Sequence, residues 1–133
     1  MELNDLSYSI IGSAMRVHSK LGPGLIESVY EEVMTDDLTR EGFFVEGQKD
    51  VPIVFDDRHF KKGFRADLIV DRTVVVEIKS IERLAPVHLQ QLLTYIRLAR
   101  YPLGLLLNFG AGTLREGIRR VINSGRRPLR PCG

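Results

Sequence analysis

HFKKGFRADLIVDRTVVVEIK, residues 59–79, is the stretch that decides the fold. It reads as two β-strands joined by a turn at Asp71-Arg72. The first is long, from His59 to Val70. The second, Thr73 to Lys79, is β-branched and nearly continuous in apolar residues, as a central strand is. Asp67, Glu77 and Lys79 interrupt this pattern, and burying such groups is costly unless they are paired or hold a metal. Glu77 and Lys79, two apart, leave one face of their strand, while Val74, Val76 and Ile78 leave the other. If the loop spans Asp71 to Thr73, so that Val70 pairs with Val74, Asp67 falls directly opposite Glu77. Their Cβ atoms then stand about 4.5–5.5 Å apart. A two-residue loop would slip the register by one and separate them. Carboxylate oxygens suit Mg²⁺ or Mn²⁺, and two carboxylates with a lysine are what metal-assisted phosphodiester cleavage requires. A buried Asp/Glu–Lys network that merely satisfies itself accounts for the same spacing.

Working outward, a first helix is expected from about Asn4 or Asp5, with Leu6, Ile10, Ala14, Val17 and Leu21 at three- and four-residue spacing. Gly22-Pro23-Gly24 stops it. A second runs from about Leu25 to Glu41, with Leu25, Ile26, Val29, Tyr30, Val33 and Met34 as a broad apolar face and Gly42 suited to its end. Val51–Phe55 reads as a strand ahead of the decisive pair. Pro86 opens a third helix to about Arg100, and Leu103–Phe109 is a further buried strand. Thr113-Leu114-Arg115-Glu116 has the form of a capping box, and it predicts a last helix carrying Leu114, Ile118, Val121 and Ile122. The order α-α-β-β-β-α-β-α implies an α/β fold with a mixed sheet, since the strand after the third helix returns by a crossover. Residues 1–123 are expected to form one domain and 124–133 a basic, flexible tail.

At 133 residues the chain is long enough for a single core. No apolar run approaches the roughly 18–20 residues of a membrane span, so no membrane partner is expected. The start, Met1-Glu2-Leu3-Asn4-Asp5, lacks the pattern of a signal peptide, and one cysteine, Cys132, excludes an internal disulfide or cysteine-based zinc site. A cytoplasmic location is the simplest expectation. The net charge of +2 hides an asymmetry: residues 1–57 carry 12 acids and 4 bases, residues 58–133 carry 5 acids and 15 bases. The basic half could contact phosphates, or the halves could pack and neutralise each other.

On the third helix, Leu89, Leu92, Leu93 and Ile96 share one face, and His88, Gln91 and Tyr95 lie beside it. Gln91 and Tyr95, at i and i+4, would touch. They are site candidates, although boundary residues with polar ends in water would look the same. Glu27 stands in the first turn of the second helix, where the helix N-terminus alone suffices to stabilise a carboxylate.

Gly24, Glu27 and Tyr30, with Ile11-Gly12, Val17-His18, Arg65-Ala66-Asp67, Glu77-Ile78-Lys79 and Gln91-Leu92-Leu93-Thr94-Tyr95, make residues 5–122 resemble the GxxExxY proteins of the PD-(D/E)xK nuclease superfamily. The resemblance implies a restriction-endonuclease-like αβββαβ core with an extra N-terminal and an extra C-terminal helix. It implies Asp67 and Glu77 as ligands of Mg²⁺ or Mn²⁺, with Glu27 as the additional acidic residue, and Lys79 as the catalytic lysine. Gln91 and Tyr95 match the QxxxY motif of RecB-type exonucleases, where such residues support the site. Ala66 stands where the superfamily usually has proline. The implied activity is divalent-metal-dependent hydrolysis of phosphodiester bonds, in DNA rather than RNA, by a chain that could pair as a homodimer. The rival readings are a non-catalytic nucleic-acid-binding module and a structural or partner-binding subunit of the same fold.

Overall fold

The computed structural model describes residues 1–124. Helices α1 (Leu3–Leu21) and α2 (Glu27–Arg40) precede strands β1 (Val45–Phe55), β2 (Arg58–Val70) and β3 (Val74–Lys79), then helix α3 (Pro86–Ala99) and strand β4 (Leu103–Asn108). A short 3-10 turn, Leu114–Gly117, leads into strand β5 (Ile118–Ile122). The five strands form one sheet in chain order, with β1, β2 and β3 antiparallel, β4 parallel to β3, and β5 antiparallel to β4. This is an α/β fold with a mixed sheet, consistent with a restriction-endonuclease-like architecture. Among the described residues no helix is long and apolar enough to cross a membrane. The expected tail lies, but for Ser124, outside the described residues.

Two cores fill the faces of the sheet. On one, Ile10, Ala14 and Val17 of α1 and Tyr30, Met34 and Leu38 of α2 pack on Leu68, Val74, Val76, Ile78, Leu105 and Leu107. On the other, Leu92 and Ile96 of α3 pack on Val51, Phe64, Ala66, Ile69, Val75 and Leu106. Because β3 feeds both cores, its alternation is fixed: Val74, Val76 and Ile78 go to the α1–α2 side, which sends Glu77 and Lys79 to the α3 side. Gly104 on β4 allows α3 its close seat, since a Cβ there would stand 2.9 Å from Leu92.

The last segment departs from the helix expected for it. Thr113 makes no side-chain cap, and residues 118–122 form a strand beside β4. Ile118 and Val121, three apart, would share one side of a helix. Here Ile118 packs against the α1–α2 core and Val121 against the α3 core, which only a two-residue period allows. A fully buried β4 needs a hydrogen-bonding partner on its second edge, and that requirement outweighs the capping box. Gly117 makes the turn possible: a Cβ there would meet the Asn108 carbonyl oxygen at 2.5 Å. Gly117→Ala is therefore expected to destabilise the fold by ~1–3 kcal/mol, read from chemical denaturation.

Two boundaries also differ. β1 starts at Val45, six residues before the expected Val51, because Glu46-Gly47-Gln48-Lys49-Asp50 shows no apolar alternation at the sheet edge. α2 begins at Glu27, and Leu25 and Ile26 are exposed in the preceding loop rather than part of its apolar face.

Candidate active site

The site is built where β2 and β3 part. Asp71 and Arg72 take left-handed conformations (φ 51° and 54°), the Thr73 N–H donates to the Val70 carbonyl at 2.9 Å, and Val70 pairs with Val74. Pairing continues through Ile69–Val75 to Leu68–Val76, so one more step sets Asp67 opposite Glu77. There the side chains take over from the backbone ladder. The Ile78 N–H donates to Asp67 Oδ2 at 2.7 Å, and the Asp67 N–H donates to Glu77 Oε2 at 3.2 Å. Each carboxylate is thus pinned by an amide of the other strand, with one oxygen free of that bond.

The electrostatics are short of positive charge. Burial pushes the Glu77 carboxyl up to about 8, and the neighbouring Asp67 charge adds to the rise, against lowering by the Asp67 N–H and Lys79. Burial likewise raises Asp67. Among the described residues neither carboxylate forms an ion pair within 4 Å. Lys79 lies two residues past Glu77 on the same face, and its charge draws both carboxyls down without pairing with them. Beyond it, Asn108 Oδ1 accepts the Ile81 and Gly110 N–H groups, each at 3.0 Å, which anchors the chain just after Lys79.

These features fit a hard divalent cation. Two half-buried carboxylates, oxygen-only and undercompensated, match the way Mg²⁺ is held by one or two carboxylates while it keeps several waters. Among the described residues no group of three or more His, Cys, Asp or Glu is drawn together as a complete cage.

Glu27 reaches the site's edge through local architecture. Gly24 turns the chain with φ 96°. Tyr30, fully buried and stacked on Phe109 with centroids 4.3 Å apart, donates its hydroxyl to the Gly22 carbonyl at 2.6 Å and accepts the Leu25 N–H at 3.1 Å. Ser80, the residue after Lys79, donates to the Leu25 carbonyl at 2.5 Å. Glu27 thereby faces a surface hollow of about 410 Å³ shared with Ser80. Among the described residues no hydrogen bond joins it to Asp67 or Glu77, but its charge raises both Asp67 and Glu31. The glycine and tyrosine three residues to either side of Glu27 thus clamp the loop that aims it. Tyr30→Phe keeps the ring stack and removes the clamp. We expect a loss of ~1–2 kcal/mol in stability and a fall in cleavage of up to about a hundredfold, seen by denaturation and single-turnover assay. A stability loss with the rate unchanged would show that the clamp does not serve the site.

Two participants escaped the sequence reading. Gln48 Nε2 donates to Glu31 Oε1 at 2.6 Å and to Asp67 Oδ1 at 3.3 Å, tying α2 to β2. Glu31 is raised by burial first, then by the charges of Asp67 and Glu27, against the Gln48 hydrogen bond. The signal for Glu31 was its i+4 spacing from Glu27, which puts both on one face of α2. Gln48 left none: it sits in a left-handed conformation (φ 47°) inside an edge strand.

The third helix carries the two remaining candidates. Tyr95 stacks on Phe64, centroids 4.1 Å apart and planes 4° from parallel, and so braces β2 three residues before Asp67. Gln91 is exposed, and among the described residues no hydrogen bond links it to Tyr95 or to the carboxylates.

A mixed five-stranded sheet with helices on both faces and two acidic strands parting at one point defines a nuclease-like α/β protein. The family model of the PD-(D/E)XK nuclease superfamily matches residues 4–121, and the chain belongs to that superfamily. No curated protein and no solved structure matches it.

Proposed function

We propose that this protein is a divalent-metal-dependent nuclease of the GxxExxY group, hydrolysing phosphodiester bonds in DNA. The carrying observation is the pair of carboxylates laced across β2 and β3, with Glu77 raised by burial to about 8 and, among the described residues, no ion pair to offset that cost. Asp67 and Glu77 would hold Mg²⁺ or Mn²⁺, with Glu27 completing the acidic set. A bound ion of this kind polarises a phosphoryl oxygen and lowers the pKa of a coordinated water. Lys79, on the same face, orients the attacking water and stabilises charge that builds on the phosphate. Tyr95 acts through Phe64 by holding β2 in place, and Gln91, exposed on the same helix, is free to meet substrate. Superfamily membership supports nucleic acid as the substrate class.

The test is incubation of the purified protein with single-stranded, duplex and branched DNA and with RNA, in Mg²⁺ or Mn²⁺ and in chelator. Cleavage is expected only with metal and on DNA. Cleavage that persists at the same rate in Asp67→Ala and Lys79→Ala would sink the proposal.

A further inference from the structure

β1 and β2 outrun the rest of the sheet. β2 spans 13 residues against 6 in β3, its partner, and β3 pairs only with Leu68–Val70. The far half of the β1–β2 hairpin is therefore a two-stranded arm, reaching roughly 23 Å along β1 from Gln48, opposite Asp67, to Phe55 at about 3.3 Å per residue. It is re-aimed partway along. Val51 pairs with Phe64 and Ile53 with Phe60, so Pro52 faces the longer stretch Lys61–Gly63 in a bulge. Gly63 is required there, since a Cβ would run into the Ile53 side chain.

The arm carries an unusual surface for a two-stranded extension. Ile53 opposes Phe60 and Phe55 opposes Arg58, so these four share one face, the face that Ile53 extends from the α3 core. Phe55 is 59% exposed and Phe60 46% exposed. Together with the Phe64–Tyr95 stack they make a row of rings running from the site outward. Arg58 shares the face of this row, Lys61 and Lys62 are exposed next to Phe60 in the chain, and none of the three is in an ion pair among the described residues, while His59, opposite Val54, belongs to the other face. Asp56 and Asp57 carry negative charge at the extreme tip, and Asp50, nearer the base, is paired with Arg65 at 3.3 Å.

We infer that this arm is a docking surface for single-stranded nucleic acid, with unpaired bases stacking on Phe60 and Phe55 and phosphates meeting Arg58, Lys61 and Lys62. The identity of the partner rests on the nuclease reading above. Alternating cations and exposed rings are the means by which proteins hold single strands without reading sequence. Charge favours nucleic acid over a second copy of this chain as occupant: a two-fold pairing of the arms would bring together two copies of the same patch, each carrying Arg58, Lys61 and Lys62.

The experiment is fluorescence anisotropy of a labelled oligothymidylate in chelator, where no cutting occurs, beside the matching duplex. Phe55→Ala with Phe60→Ala is expected to weaken single-strand binding by about tenfold or more, and to leave duplex binding and the thermal midpoint unchanged. Lys61→Gln with Lys62→Gln should flatten the log–log salt dependence by about 0.7 per cation removed. Undiminished single-strand affinity in the phenylalanine variant would overturn the inference. So would a wild-type dimer, seen by size exclusion, that the same variant dissociates. If the oligonucleotide binds through the arm but is never cut in Mg²⁺ or Mn²⁺, the arm stands and the nuclease proposal fails. If the phenylalanine variant binds and cuts as wild type does, the arm fails and the nuclease proposal stands.

Discussion

Lys79→Ala is expected to slow cleavage by about a hundred- to a thousandfold while leaving metal binding intact. Lys79 lies on the face of Glu77 without forming an ion pair among the described residues, and under the proposed function its ammonium would meet charge that develops on substrate. Removing a single positioned donor of this type typically costs about a hundred- to a thousandfold in rate. Its loss also leaves the carboxylates less compensated, so the affinity for a divalent cation should rise slightly or hold. Asp67→Ala contrasts with it: the amide of Ile78 loses its acceptor, the oxygen donor set is halved, and both metal binding and cleavage should disappear. Single-turnover cleavage alongside metal titration separates the two variants. Equal loss of metal binding in both would show that Lys79 is a structural partner of the carboxylates and not a catalytic group.

The second large effect is a stability that falls as pH rises in the absence of metal. The Glu77 carboxyl sits near 8 in the folded protein against an ordinary value of 4.5, so across that window the native state holds a proton the unfolded chain has released. Stability is then full below the lower value and is lost progressively up to the higher one. Each pH unit is worth ~1.4 kcal/mol, for a total of up to a few kcal/mol. Asp67 and Glu31, also raised, act in the same direction. Asp37, lowered by Arg16, acts oppositely, but only in more acidic solution. The thermal midpoint in chelator should therefore drop by several degrees between mildly acidic and mildly alkaline buffer. Glu77→Gln retains an oxygen for the Asp67 N–H, and it should flatten this slope and raise the alkaline midpoint. Mg²⁺ or Mn²⁺ should reverse the slope in the wild type, because the ion takes the place of the proton. A midpoint that is level in chelator would mean that Glu77 is not held in the environment described.

The sequence and the structure agree where one residue pattern had one physical solution. The period of residues 74–79 left one way to bury Val74, Val76 and Ile78 together, while the loop length left two registers open, and the observed one carries Asp67 to Glu77. Leu92 and Ile96 likewise left α3 only one face to bury. Ile118 and Val121 were ambiguous, because three-residue spacing serves a helix with one core or a strand between two, and only the second core settles the choice. Gln48 was illegible because its contribution depends on a left-handed backbone that brings α2 and β2 to the same amide. Tyr95 is a site candidate through the resemblance to the QxxxY motif, and its stack on Phe64 was not legible because it depends on how α3 approaches β2. Residues set by local period were readable; those set by the approach of distant elements were not.

Calorimetric titration with Mn²⁺ tests the central claim most directly. At a pH above the raised Glu77 value of about 8, the wild type should bind the ion with release of little or no proton, and below it with proton release and weaker affinity. Asp67→Ala and Glu77→Gln should show no saturable heat. Saturable binding that survives both substitutions, or no binding by the wild type at any pH, would contradict the account.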